Sequence, residues 1–418
     1  MSFRARPVHE RRGLLRATLL VSAQLLLMGI EPARAQESWD TGDGGVSTFY
    51  RWDKPIPTAA GELLRSEPLP PQNRLEDAEG QFRILYTSVS GLDSSPITVS
   101  GQLFVPKGQP PEGGWPLLAW AHGTVGVADV CAPSWNEAPT VYKDYLNRWL
   151  KQGYAIVATD YEGLGTPGLH PYLTKRSEAY GVLDSIRAVT DGRYPIANKV
   201  IVAGQSQGGG AAFATAGFAK EYAPELDIKG TIVTGIPYLT ERTMTVSGVD
   251  PNQVDPGIAY MFYVALVAHQ RQPVTDASTL FTSKTMPLFE KAARLCVGTL
   301  AREVMQAGLT QANTVQPEAV KTMAKILLPQ YRFNTLKLDQ PLFVGTGDAD
   351  RDVRPEGQQL LVREACNAGT TIEAHVYKGE SHSGAWLVSQ KDALSFAHKV
   401  MTDEPIVSTC PAKSTTSP

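Results

Sequence analysis

The segment that most restricts what this chain can fold into is Gly204-Gln205-Ser206-Gln207-Gly208, set between the apolar run Val200-Ile201-Val202-Ala203 and the alanine-rich residues 209–220. A serine hydroxyl is a poor nucleophile unless it is exposed, held rigidly and supplied with a base. A sharp strand-to-helix turn meets the first two needs, and glycines on either side of the serine tolerate its crowding. With 37 glycines in the chain, a Gly-x-Ser-x-Gly pattern arises easily by chance as a plain glycine-rich turn. The strand before it and the helix after it give the pattern weight, and Ser206 becomes the candidate nucleophile.

The surrounding pattern agrees with that placement. Residues 82–90 and 97–105 read as two antiparallel strands joined by a Gly/Asp/Ser turn. Leu117-Leu118-Ala119-Trp120-Ala121, Tyr154-Ala155-Ile156-Val157-Ala158, Thr231-Ile232-Val233 and Leu342-Phe343-Val344 are continuous apolar runs like Val200–Ala203. Such runs suit parallel strands covered on both faces. Residues 142–151 and 178–190 carry helical spacing between them; in the second, Ala179, Val182, Leu183, Ile186 and Val189 share a face. The alternation predicts an α/β fold with a mostly parallel, doubly wound sheet. Core segments are expected at 81–235 and 337–418. Residues 236–336 contain no convincing strand but hold helical stretches at 258–268, 286–304 and 317–328, which predicts a helical insertion. On Tyr260, Phe262, Tyr263, Val264 and Leu266 the spacing favours packing within the insertion over lining a pocket. Residues 36–80 are Pro- and Gly-rich without sustained period, and are expected to form an extended arm lying on the body.

Residues 1–35 read as a cleavable export signal. Arg4, Arg6, Arg11 and Arg12 precede an apolar stretch at 14–30, and Ala33-Arg34-Ala35 offers small residues for cleavage after Ala35. The apolar stretch is short for a membrane span, so no stable membrane anchor is expected and the protein is placed outside the cytoplasm, secreted or periplasmic. Removing the signal leaves 33 basic against 40 acidic residues. That mild acidity argues against nucleic acid as a partner. Cys131, Cys296, Cys366 and Cys410 lie in the mature part, an even count that suggests two disulfides in an oxidising compartment, with three connectivities open. No Cys/His spacing resembles a metal site, and neither metal nor organic cofactor is expected.

The other parts of an acyl-transfer site are expected where this architecture puts them. The loop His122-Gly123-Thr124, directly after a strand, would supply one oxyanion-holding amide from Gly123 or Thr124, and Gln207 would supply the other. His122 precedes the serine and reads as structural. The acid should follow the strand at 342–345, where Asp348, Asp350 and Asp352 compete; Asp350 fits the turn best. Of the later histidines, His375 falls inside a strand pattern at 371–377 and His398 in a helix at 391–401. His382 lies in the polar loop Gly379-Glu380-Ser381-His382-Ser383-Gly384 after the last strand, and is the expected base.

These residues together resemble the secretory lipase family. The likeness runs from about Phe82 to Cys410. It rests on the His-Gly-Thr start at His122, Cys131-Ala132-Pro133-Ser134, Asp160-Tyr161-Glu162-Gly163-Leu164-Gly165, the Gln-Ser-Gln-Gly-Gly turn around Ser206 and the tail from His382 to Cys410. The resemblance implies an α/β-hydrolase fold, a helical lid in the insertion, and the bridges Cys131–Cys296 and Cys366–Cys410. It also implies an ester, small or lipid, as the substrate. The alternatives are a peptidase or amidase on the same fold, or an inactive hydrolase-like binding protein.

Overall fold

Residues 43–244, 250–272 and 276–411 are described by the computed structural model. The expected signal at residues 1–35 and its cleavage point lie outside them. The strands, in chain order, are β1 Leu63–Pro68, β2 Ala78–Val89, β3 Pro96–Pro106, β4 Trp115–Ala121, β5 Ala155–Thr159, β6 Ile196–Gln205, β7 Ile228–Thr234, β8 Leu342–Gly347 and β9 Ile372–Tyr377. Among the described residues they form one sheet in the order β1-β2-β3-β5-β4-β6-β7-β8-β9. The first strands pair antiparallel, with Phe82 opposite Leu103, and from β5 through β4 to β9 every pairing is parallel. The order reverses at β4, so the loops after β4 and β6 meet at the carboxyl edge, where open α/β sheets place their sites.

Both faces of the sheet are buried, which explains the unbroken apolar runs. Side chains alternate between faces along a strand. Leu117, Ala119 and Ala121 of β4 with Val200 and Val202 of β6 enter one core; Leu118, Trp120, Ile201 and Ala203 enter the other. Helices α2 (Lys175–Val189) and α3 (Gln207–Tyr222) cover the first face with Val182, Ile186, Ala212 and Phe213. Helix α1 (Thr140–Lys151) covers the second with Tyr145, Leu146 and Trp149.

Between β7 and β8 the described residues form helices: α4 Glu241–Met244, α5 Ile258–Arg271, α6 Met286–Ala292, α7 Val297–Gln306, α8 Gln311–Thr314 and α9 Ala319–Tyr331. This insertion builds a second core, shared with Val127, Leu169, Tyr172 and Leu173 from the loops after β4 and β5, in which Phe262, Phe281 and Phe289 meet at ring separations of 5.0 to 5.8 Å. The helix expected over 286–304 is interrupted, because Cys296 turns out to bond Cys131 and the Val297 N–H bonds the Val125 carbonyl at 2.8 Å. After β8 come α10 Pro355–Ala368, β9, α11 His382–Val388 and α12 Gln390–Met401; α12 sets Phe396 and Ala397 into the same core as α1.

Of the arm expected over residues 36–80, residues 36–42 lie outside the described residues, and the remainder is only partly an arm. Phe49 and Tyr50 are buried against the body, but Leu63–Pro68 is the edge strand β1, and β2 already begins at Ala78. An edge strand buries one flank poorly, so Arg65, Ser66 and Glu67 erase the apolar alternation that would mark it. The cysteines pair as Cys131–Cys296 and Cys366–Cys410. The second bond holds the segment around Cys410 against β9, where Thr409 N–H also bonds the Ile372 carbonyl at 2.7 Å.

Candidate active site

Strand β6 delivers Ser206 at the carboxyl edge in a backbone conformation that side chains rarely adopt, φ 59° and ψ −123°. Its N–H is tied to the Thr234 carbonyl of β7 at 2.9 Å. Both flanking glycines are sterically required. A Cβ on Gly204 would lie 2.0 Å from the Gly208 carbonyl oxygen, and one on Gly208 would lie 1.9 Å from that of Ala121. The strained turn thus packs directly on β4.

On one side lies the loop after β4. Gly123 approaches so closely that a Cβ there would be 2.8 Å from Gln205 Oε1 and 3.6 Å from Ser206 Cβ. Thr124 shares a cavity wall with Ser206 and Gln207, and its hydroxyl is 2.7 Å from the Tyr172 hydroxyl. Gln207 opens α3, so its N–H has no carbonyl partner within the helix. His122 faces away from this chemistry. Its Nδ1 is 2.6 Å from the Gly123 carbonyl, its ring packs on Tyr161 at 4.4 Å, and burial pushes its pKa down to about 4.

On the other side lie Asp350 and His382. His382 Nδ1 donates to Asp350 Oδ2 at 2.7 Å. Asp350 Oδ1 accepts from the amides of Asp352 (2.9 Å) and Val353 (2.8 Å), and Oδ2 also accepts from Gln358 Nε2 at 3.0 Å. Asp350 is buried, whereas Asp348 and Asp352 are exposed, and Asp348 serves to cap Gly379 at 2.6 Å. His382 sits at the first position of α11 behind the cap Ser381, rather than in a free loop. Its ring lies so close to Gly235 that a Cβ there would be 2.5 Å from Cε1. Gly235 follows Thr234, the residue that anchors Ser206, so one β7 terminus borders both side chains. His375 is in β9, stacked on Phe343 at 5.3 Å, and His398 is exposed on α12.

Ligand atoms of Asp350, Asp352 and His382 lie within 4.8 Å of one another, a grouping with metal-ligand potential. The lone pairs of Asp350 are already committed to the four contacts above, which makes the group a hydrogen-bonded dyad with a flanking carboxylate.

Ser206 opens onto a cavity of about 330 Å³. Leu173, Tyr260, Met261, Val264, Val320 and Met323 line it, so the insertion supplies much of its apolar wall. The α5 side chains divide: Phe262, Tyr263 and Leu266 pack in the insertion core, while Tyr260 and Val264 face the cavity. Sequence reasoning missed the residues beneath Gln207. Its side-chain amide contacts His170 Nε2 and Glu178 Oε1, each at 2.9 Å. The one sequence signal was a pair of charges, Lys175 and Glu178, at helical spacing in a helix that is otherwise largely apolar on its buried side.

The nine-stranded sheet, the strained serine turn and the His–Asp pair at its carboxyl edge define an α/β-hydrolase. Residues 140–409 match the model of the secretory lipase family, and the chain belongs to that family. It is 27% identical over 212 residues to lipase A of Moesziomyces aphidis; the match covers 47% of this chain and 44% of that protein, less than half of the relative's length. In fold it is similar to Candida antarctica lipase A in its closed state (TM-score 0.69, 18% identity, 86% of this chain and 87% of that one). Its fold is likewise similar to that of the rice cell wall degrading esterase LipA from Xanthomonas oryzae (TM-score 0.65, 18% identity, 83% of this chain and 100% of that one).

Proposed function

We propose that this protein is an exported serine hydrolase that cleaves carboxylic esters through Ser206, His382 and Asp350. The observation that carries the reading is the His382 Nδ1–Asp350 Oδ2 bond of 2.7 Å, formed against the same β7 terminus that holds the Ser206 turn. A proton on Nδ1 leaves Nε2 as the basic nitrogen.

In the proposed reaction, Ser206 Oγ attacks the acyl carbon as its proton passes to His382 Nε2. Asp350, fixed by three N–H donors besides the ring, orients the imidazole and stabilises its cation. The amide of Gln207 and one from the Gly123–Thr124 loop receive the developing oxyanion; losing one such donor typically costs about 3–4 kcal/mol. The tetrahedral adduct collapses, His382 returns the proton to the departing alcohol, and water then repeats the sequence on the acyl-enzyme to release the acid. The apolar cavity favours a neutral, apolar ester chain, and the α5 and α9 helices act as its lid. Two disulfides suit export, with cleavage after Ala35.

Ser206→Ala is expected to lower kcat on a p-nitrophenyl ester by about a million-fold, to abolish labelling by a fluorophosphonate probe, and to leave the melting temperature nearly unchanged. Residual turnover near wild type, or faster cleavage of an aminoacyl-anilide than of the matched ester, would overturn the reading.

A further inference from the structure

Gln207 is held from below by an unusual set of buried groups. Its side chain donates both amide hydrogens, one to Glu178 Oε1 and one to His170 Nε2. His170 can accept because its Nδ1–H donates to the Glu162 carbonyl at 2.8 Å. Burial pushes the His170 pKa down to about 3, so the ring stays neutral and its acceptor nitrogen persists through the working pH range.

Glu178 Oε1 has a second donor, the N–H of Leu173 at 3.1 Å. Leu173 is itself held at φ 64°, and its neighbour Tyr172 reaches the Thr124 hydroxyl at 2.7 Å. One carboxylate oxygen therefore joins the first residue of α3 to the segment that braces the loop after β4. Its other oxygen faces Lys175 Nζ at 3.2 Å, with side chains 1% and 0% exposed.

We infer that Glu178 is a positioning residue for the reaction proposed above: through Gln207 on one side and Leu173–Tyr172–Thr124 on the other, it sets the two halves of the oxyanion hole relative to each other. Stability gives no reason for the charges, because an apolar pair of similar volume would hold α2 against α3 as well or better. Geometry does give one. A side chain tethered at its far end by two hydrogen bonds fixes the peptide it grows from, and oxyanion donors act through such fixed aim. The inference rests on the Ser206 reading.

The test compares two double variants with the charge pair removed in both. Glu178→Leu with Lys175→Met deletes the acceptor; Glu178→Gln with Lys175→Met keeps an oxygen for Gln207 and Leu173. Turnover of a p-nitrophenyl ester is expressed per serine titrated by a fluorophosphonate, so misfolded protein does not count. The leucine variant is expected to lose about 10- to 100-fold in kcat with KM changed less than about threefold. The glutamine variant is expected to recover most of that loss. Gln207→Met, which removes both side-chain bonds and keeps the backbone N–H, is expected to show the same kcat loss, and it serves alone if the leucine variant does not fold. Equal kcat per titrated serine in the two doubles, or wild-type kcat in Gln207→Met, would overturn the inference and leave the hydrolase reading intact. A wild-type enzyme that neither labels nor turns over ester would overturn both.

Discussion

Gly235→Ala tests the proposed catalytic geometry without replacing any of the proposed catalytic residues. Gly235 has φ +56°, and a Cβ there would stand 2.5 Å from His382 Cε1 and 2.8 Å from Nδ1. Ordinary contact begins at 3.4 Å, so the ring must retreat by about 1 Å, and a misplacement of that size costs about 100-fold in rate. The same displacement disturbs the 2.7 Å bond to Asp350, whose carboxylate is pinned by Asp352, Val353 and Gln358. The left-handed backbone adds about 1–2 kcal/mol of destabilisation for alanine, a few degrees in melting temperature. The expected signature is therefore a kcat about 100-fold lower on p-nitrophenyl butyrate, little change in KM, and a fluorophosphonate labelling rate that falls in parallel, since labelling uses the same base. A variant that melts slightly lower yet keeps kcat within about threefold of wild type would show that His382 does not act from the position beside Gly235.

Three further outcomes are expected. Asp350→Asn should lower kcat by about ten-thousand-fold, while Asp348→Asn and Asp352→Asn, altering exposed carboxylates, should each cost less than about tenfold; an inactive Asp352→Asn beside an active Asp350→Asn would move the acid assignment. Replacing Cys366 and Cys410 by alanine, across a separation of 44 residues, should cost up to about 4 kcal/mol by loop entropy, read from the urea midpoint; an unchanged midpoint would refute the entropic reasoning. Acid should destabilise the protein through His122, whose folded pKa of about 4 lies below the ordinary 6.5. As pH falls through 6.5 the unfolded chain takes up a proton that the native ring refuses, so stability declines until about pH 4. Asp160, raised by burial to about 6, works in the opposite sense over the range below that value. His122→Gln should flatten the stability slope between pH 6.5 and 4 by one proton in urea titrations at each pH; an unaltered slope would refute the assignment.

How much was legible in the sequence follows from which features burial makes periodic. The parallel strands were readable because both faces are covered, leaving runs such as Val200–Ala203 wholly apolar. Strand β1 was not, because an edge position lets Arg65, Ser66 and Glu67 alternate with nothing. The choice among Asp348, Asp350 and Asp352 turns on which carboxylate is buried, and a stretch of three aspartates within five residues carries no signal of that. For His382 a signal existed, since Ser381 accepts from the Gly384 amide as a helix cap at 3.2 Å, yet the surrounding polar residues read as loop. On α5 the helical period marks apolar residues but not their destination, so it could not separate Phe262, packed in the insertion, from Tyr260 and Val264, facing the cavity. Glu178 and His170 were invisible as site residues because they reach Gln207 only through the packing of α2 on α3.

The division of labour within the molecule follows from the same geometry. Ser206, Gly123 and Asp350 issue from strand ends or the turns after them, and His382 opens α11 behind the turn that follows β9. Much of the apolar cavity wall comes instead from α5 and α9, which belong to a separate core. That second core is joined to the first next to the loop after β4, by Cys131–Cys296 and the Val297–Val125 backbone bond. A substitution in the α9 wall can therefore reshape what the cavity accepts while the strand-borne groups keep their spacing. A substitution at Gly204, Gly208 or Gly235 cannot, because a Cβ there would strike the backbone of the Ser206 turn and of β4 and its loop, or the His382 ring.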